Sequence, residues 1–391
     1  MTFHPQHDFD RTRNLRGTDS LKWNTYPEDV IPMWVADSDF RCPQPVLDAL
    51  TSRINAGSFG YPRITTHFAE AVRHWMGTRF DWRIEPEWVL FAHAIVPGLV
   101  DAIQTFTAPG DAVLIQQPVY PPFHESIVQN GRVKRVNALK EDAHGVWRMD
   151  LPDLYRQLAD PAVKLMFLCH PHNPVGRVFT PDELVAVGEA CADNGVVLVS
   201  DEIHGDFVYP PLHHVPMPSL SPRIAANTLV FVNPSKTFNI PGMHAAAAIV
   251  PNPTLRARLA STIQARRSAE PTSLGLVALE TAYTQCAWYA DQAKAYIEGN
   301  IAFALDFFAR DIPRIKVTRP EATFLLWLDC RALSLTPDEL HAFMLKKAKV
   351  AMNDGGVFGQ EGAGFMRMNM ACTRATLTEA LQRIQTAVKM L

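Results

Sequence analysis

Lys236 sits where a side chain can do chemistry. It belongs to Asn233-Pro234-Ser235-Lys236-Thr237-Phe238-Asn239-Ile240-Pro241-Gly242, directly after the apolar, β-branched run Thr228-Leu229-Val230-Phe231-Val232. That run has the composition of a buried parallel strand, and open α/β sheets bind ligands at the carboxyl ends of their strands. A lysine at such an edge is held in a cleft, where desolvation depresses its pKa and favours a free amine able to form a Schiff base. Two more polar residues close apolar runs in the same way. Asp201 follows the run 196–200, and Asn173, in His170-Pro171-His172-Asn173-Pro174-Val175-Gly176, follows 164–169. Each alone has an ordinary account, a loop lysine or a strand-end Asp or Asn capping a turn. Together they bring an amine, a carboxylate and a carboxamide to one sheet edge.

The elements that must hold this edge are legible as apolar periodicity. Strand-like runs occupy 88–91, 112–115, 133–136, 164–169, 196–200, 229–232 and 245–250, with helical patterns between several of them. The clearest helix, 181–193, opens on Thr180-Pro181-Asp182-Glu183, a capping box with proline in the first turn, and stops at Asn194-Gly195. Strand, helix and strand repeated in this way predict a mostly parallel sheet. Ahead of it, the first forty-odd residues are irregular. Helices are then expected over 45–54, with Val46, Leu47, Leu50 and Ile54 on one face, and through Phe68, Val72 and Trp75. After Pro271 the chain turns helical as far as Phe308. It then reads as α+β: strands at 322–329 and 365–370, a helix opened by Thr336-Pro337-Asp338-Glu339, and a terminal helix at 377–390. The expected fold class is α/β, a large domain over 47–285 and a smaller α+β domain made from both ends of the chain, 1–46 and 286–391.

Composition narrows the function. Charged residues make up 20%, the formal net charge is -3, and no block of five Lys/Arg occurs, so nucleic acid and anionic membrane surfaces have no electrostatic counterpart here. The first eight residues lack a signal-peptide pattern and no apolar run reaches membrane-spanning length, so the expectation is a cytoplasmic protein. Six scattered cysteines without paired spacing read as buried thiols. His213-His214 reads as a solvent-facing loop pair and no metal site is expected; Trp327 reads as a core or domain-seam aromatic. The acidic trio Asp37, Asp39 and Asp48 has no evident paired-carboxylate role.

An amine, a carboxylate and a carboxamide around a flat ring are what pyridoxal 5'-phosphate requires: an anchor for the aldehyde, a partner for the protonated pyridine nitrogen and a donor to the phenolic oxygen. The motifs Ser200-Asp201-Glu202-Ile203-His204-Gly205-Asp206, Pro234-Ser235-Lys236-Thr237-Phe238-Asn239 and His172-Asn173-Pro174-Val175-Gly176-Arg177 resemble those of fold-type I pyridoxal-phosphate enzymes. They are most similar to those of the MalY/PatB-type cystathionine β-lyases, or C-S lyases. The resemblance runs from Met33-Trp34-Val35-Ala36-Asp37 through Asn353-Asp354-Gly355-Gly356-Val357-Phe358-Gly359 to Arg367-Met368-Asn369, nearly the whole chain.

The resemblance implies a seven-stranded sheet flanked by helices and assigns the site. Lys236 carries the cofactor and moves the substrate proton, Asp201 pairs with the pyridinium, and Asn173 bonds the phenolic oxygen with His204 nearby. Tyr120 stacks on the ring. Phosphate sits on the turn Ala94-Ile95, before a helix from Leu99, with Asn233 and Ser235 near the cofactor. Tyr61 reaches the phosphate from the neighbouring subunit of a homodimer. Arg367 clamps the α-carboxylate of a small amino-acid substrate, with Asp37 and Trp34 beside it; its ordinary alternative is an interdomain salt bridge. Several positions depart from relatives: His93-Ala94 stands where Pro-Gly is usual, and Asn233 and His244 stand where many aminotransferases have phosphate-binding serine and arginine. Ala371-Cys372-Thr373-Arg374 replaces the common Ala-Cys-Pro-Arg. The implied reaction is β-elimination from cystathionine or another S-substituted cysteine. Aminotransfer or decarboxylation-linked deamination, and a regulatory or binding role on the same fold, stay open at this point.

Overall fold

Seven apolar runs pair into one sheet. In chain order the strands are β1 (Val89–Ala92), β2 (Ala112–Gln117), β3 (Val133–Ala138), β4 (Val163–Cys169), β5 (Val197–Asp201), β6 (Thr228–Val232) and β7 (Ala246–Ile249). Their spatial order is β1-β7-β6-β5-β4-β2-β3. Only β7 runs against its neighbours; the other pairings are parallel. This computed structural model describes residues 6–11, 13 and 15–391; the start of the segment read for a signal peptide, residues 1–5, lies outside the described residues.

Both faces of the sheet are covered, which is why its central strands are largely apolar, while the edge strand β3 carries Lys134 and Arg135. Val113, Ile115, Leu165, Phe167, Val199 and Phe231 pack on one face with Leu99 and Ile103 of the helix Ile95–Phe106. The alternate residues Leu114, Met166, Leu168 and Leu198 pack on the other with Leu184 and Val187 of the helix Pro181–Asp193. That helix carries the expected capping box, Thr180 and Glu183 exchanging side-chain and backbone bonds, and Thr336 with Glu339 does the same for Pro337–Lys346.

The smaller α+β part has its own antiparallel sheet, in the order Lys316–Val317, Leu325–Asp329, Phe365–Asn369, Asn353–Asp354. The two ends of the chain meet where Ile31–Pro32 pairs in parallel with Val350–Ala351. Several boundaries differ from expectation. The helix expected from Leu99 begins at Ile95, because Pro97 falls in the first turn, where a missing N–H loses no intrahelical bond. Ala322 makes only an isolated bridge to Val208, so the strand there shortens to Leu325–Asp329. The terminal helix starts earlier, at Arg374, because the Thr373 hydroxyl caps it through the Thr376 N–H. The long helical span after Pro271 is two helices, Ser273–Gln285 and Ala287–Asp311. Of the apolar face predicted for 45–54, Val46 is buried but Ile54 is 50% exposed.

One close approach sets the helix Ile95–Phe106 against β6. A Cβ on Gly98 would stand 2.4 Å from the Phe231 ring, whereas one on Gly77, inside the helix Thr66–Phe80, would meet nothing within 4 Å. Gly98→Ala is therefore expected to lower stability by about 1–3 kcal/mol through overpacking. Gly77→Ala is expected to raise it by about 0.5–1 kcal/mol. Chemical denaturation midpoints check both, and shifts of the same sign would contradict this account of the packing.

Candidate active site

The carboxyl ends of β4, β5 and β6 supply the chemistry. Asp201 is the last residue of β5 and registers with Cys169, the last of β4. Lys236 lies in the one-turn helix Ser235–Phe238 that follows β6, and Asn233 accepts a hydrogen bond from the Ser235 N–H (2.8 Å), fixing the turn. A cavity of about 160 Å³ is lined by Lys236, Asp201, Asn173, His204, Tyr120, Asn233, Ser235, Ala94 and Ile95, together with Ala36, Val96, Cys169, Ile203, Pro241 and His244. All but one of the expected cofactor-side residues thus meet in one place. The exception is Tyr61, which is fully exposed and absent from the cavity wall of its own chain.

Charge in this cavity is poorly compensated. Burial depresses the Lys236 pKa to about 8, opposed by the nearby Asp37 carboxylate and reinforced by Arg367. Its ammonium donates to the Ala36 carbonyl oxygen at 2.7 Å. Burial pushes Asp201 up to about 7, and within the chain its carboxylate accepts from the Ile203 N–H at 3.2 Å. His204 is driven down to about 3, again by burial, and so is neutral; its Nδ1 is buried without a partner. Burial also raises the Tyr120 phenol, with the Asp201 charge adding to the effect.

Arg367 arrives from the other sheet. It sits on Phe365–Asn369, opposite Asn353, and is buried. Its Nη1 donates to Asn173 Oδ1 (2.9 Å), and its Nη2 donates to the Trp34 carbonyl (3.0 Å) and to Asn353 Oδ1 (2.8 Å). The guanidinium lies 4.8 Å from the centre of the Phe358 ring. Among the described residues it has no carboxylate partner, so the interdomain salt bridge does not form; burial lowers its pKa to about 10 and its Nε–H is left unpaired. A buried guanidinium with an orphaned donor suits an incoming carboxylate.

The segment from Trp34 to Asp37 roofs the cavity. Asn369 Nδ2 donates to the carbonyls of Val35 (2.7 Å) and Asp37 (2.8 Å), and Lys22 Nζ donates to the Asp37 carbonyl (2.9 Å). The Asp37 carboxyl group is raised by burial, and Trp34 Nε1 donates to the Lys22 carbonyl (3.2 Å). Lys22, Asn353 and Asn369 escaped the sequence reading of roles. Lys22 is buried against Asp39 at 3.0 Å, a pairing 17 residues apart with no periodic signal. One reading is corrected: His214 is not solvent-facing but buried, its Nε2 2.8 Å from Glu202 and its ring 5.0 Å from that of His170. Two adjacent histidines in a proline-rich stretch look like loop, and only tertiary packing brings Glu202 beneath one of them. Trp327 is core, stacked on Phe365 at 5.2 Å, and five of the six cysteines are buried, all unpaired.

The profile described as Aminotransferase class I and II matches residues 28–384. The chain belongs to this family. Cystathionine beta-lyase PatB of Bacillus subtilis is 40% identical over 97% of this aminotransferase-family chain and 100% of its own. Protein MalY of Escherichia coli is 31% identical over 98% and 99%. The structure of cystalysin from Treponema denticola, which contains a pyridoxal 5'-phosphate cofactor, superposes with a TM-score of 0.95 at 33% identity, covering 98% of this chain and 99% of that one.

The raised Asp201 pKa has a stability consequence. Between about pH 4 and 7 the folded protein binds the proton more tightly than the unfolded chain, so Asp201 costs stability progressively as pH rises through that window. In cofactor-free protein at pH 8, Asp201→Asn is expected to be more stable than the parent by on the order of 2–4 kcal/mol. The gap should close as pH falls toward 4, which denaturant titrations at several pH values check.

Proposed function

We propose that this protein is a pyridoxal-phosphate-dependent carbon-sulfur β-lyase. It cleaves L-cystathionine or another S-substituted L-cysteine, with water, to a thiol, pyruvate and ammonia. The observation that carries this reading is the meeting of Lys236, Asp201 and Asn173 in one cavity, with Arg367 of the second sheet hydrogen-bonded to Asn173 at its wall. The cavity suits the cofactor: a buried carboxylate with one internal hydrogen bond awaits a cationic ring nitrogen, and a lysine of depressed pKa stands across from it. When bound, the cofactor supplies an electron sink next to the substrate's Cα.

The chain's own residues divide the remaining work. Lys236, as a free amine at its lowered pKa, takes the proton from Cα onto its lone pair, which N–H donation to the Ala36 carbonyl leaves unengaged. Asp201 holds the proton on the ring nitrogen. Asn173 spends its Oδ1 on Arg367 and keeps its Nδ2 for the phenolic oxygen, which couples cofactor and substrate ends of the site. Arg367 binds the α-carboxylate through the donors not already engaged, orienting Cα toward Lys236. Asp37 and Trp34 border the substrate, and Tyr120 covers the ring.

The reading includes a homodimer in which the partner chain completes the phosphate end with its own copy of the exposed Tyr61. Supporting it, Ile54 (50%), Phe59 (60%) and Ile64 (42%) near Tyr61 are exposed apolar side chains. It also includes a division into 1–46 with 286–391 and 47–285, supported by the helix break at Cys286, and a cytoplasmic setting, supported by the unpaired cysteines. Among the described residues no helix is long and apolar enough to cross a membrane.

Purified protein supplied with cofactor and L-cystathionine or S-alkyl cysteines is expected to release pyruvate, measured by coupled lactate dehydrogenase. Lys236→Ala should abolish release, by at least about 10³-fold. Arg367→Lys should raise KM by roughly 10- to 100-fold with a smaller loss in kcat. Cofactor bound but no pyruvate from any conjugate, with a new amino acid formed from an added 2-oxo acid, would replace the lyase reading by aminotransfer. Sedimentation should give a dimer, and a monomer retaining full activity would remove the shared site.

A further inference from the structure

The two departures at His93 and His244 are neighbours in space. Ala92, the end of β1, registers with Ala246, the start of β7. Because β7 is antiparallel, the chain enters it from the same sheet edge at which β1 leaves, so His93 and His244 flank that edge. His244, at a left-handed φ of 50°, turns back toward β1. The two imidazoles stack with centroids 4.6 Å apart and planes 13° from parallel. His244 lines the cavity beside Ala94, Ile95 and Val96, and neither ring has a hydrogen-bond partner among the described residues.

This end of the cavity is short of cations. Lys236 is the one lysine or arginine among the lining residues, and it is engaged with Ala36 on the roof. The free backbone N–H groups of Ile95 and Val96 open the helix Ile95–Phe106, where Pro97 offers no third donor. A phosphate seated there needs further donors, and Ser235, Asn233 and His244 are side chains of the same cavity wall able to supply them.

We infer that the stacked pair His93 and His244 is a phosphate-binding element of this chain, with His244 donating a ring N–H to the cofactor's phosphate and His93 holding that ring in place by stacking. The inference rests on the cofactor reading above and concerns the phosphate alone, so comparison with pyridoxal, which lacks it, isolates the claim. His244 contacts the group and His93 is a positioning residue.

Cofactor-depleted full-length protein is titrated with pyridoxal 5'-phosphate and separately with pyridoxal, and Kd is measured by equilibrium dialysis. His244→Ala is expected to weaken the phosphorylated ligand by roughly 10-fold, the loss of one hydrogen bond to a charged group, and to leave pyridoxal within about twofold. His93→Ala should act in the same direction with a smaller effect. His244→Gln, which keeps an N–H donor, should recover most of the affinity while shifting the phosphorus-31 resonance of the bound cofactor. Equal losses for both ligands would mean a purely structural pair and overturn the inference, as would an unchanged Kd together with an unchanged resonance in His244→Gln. Parent protein that binds neither ligand would overturn the cofactor reading itself.

Discussion

A buried ammonium held by a carbonyl oxygen is the constraint around which this protein is arranged. Lys236 Nζ bonds Ala36 across 200 residues of sequence, in a cavity too dry for a comfortable cation. A full ion pair would have locked the amine in its charged form. A neutral acceptor satisfies the donor while leaving the proton weakly held, and the amine stays within reach of deprotonation near neutral pH. The carboxylates nearby, Asp37 and Asp201, moderate this effect without cancelling it.

The roof over the lysine is built by the same logic. Consecutive carbonyls of an irregular segment, from Trp34 to Asp37, accept from Arg367, Asn369, Lys236 and Lys22. Backbone that pairs with no strand still needs partners when buried, and here side chains supply them. This is why the N-terminal segment is irregular and yet well placed. It also makes the roof depend on the lysine and the guanidinium that the site employs, so the cover and the chemistry share their hydrogen bonds.

Parallel strands collect their carboxyl ends at one edge, and Asp201, Asn173 and Lys236 follow from that alone. The second sheet adds the arginine. Asn173 is the joint between them, since its side-chain oxygen receives Arg367 while its backbone belongs to the loop after β4. The single antiparallel strand contributes its starting end to the same edge, and with it His244.

Much of this was legible in the chain itself. Buried strands show as short apolar runs bounded by turns, and two capping boxes mark helix starts to the residue, because those signals are local. So is the placement of a polar residue at the end of an apolar run. The helix start at Ile95 is not legible in this way, since it lacks a side-chain cap and proline in a first turn resembles a break. What the sequence by itself determined is therefore the α/β order of elements, the site edge and the identities of its amine, carboxylate and carboxamide. Tertiary structure alone decided the burial of His214 on Glu202, the pairing of Lys22 with Asp39, the stacking of His93 on His244 and the missing salt bridge of Arg367. Each of these depends on which distant groups share a low-dielectric space, and no local periodicity encodes that.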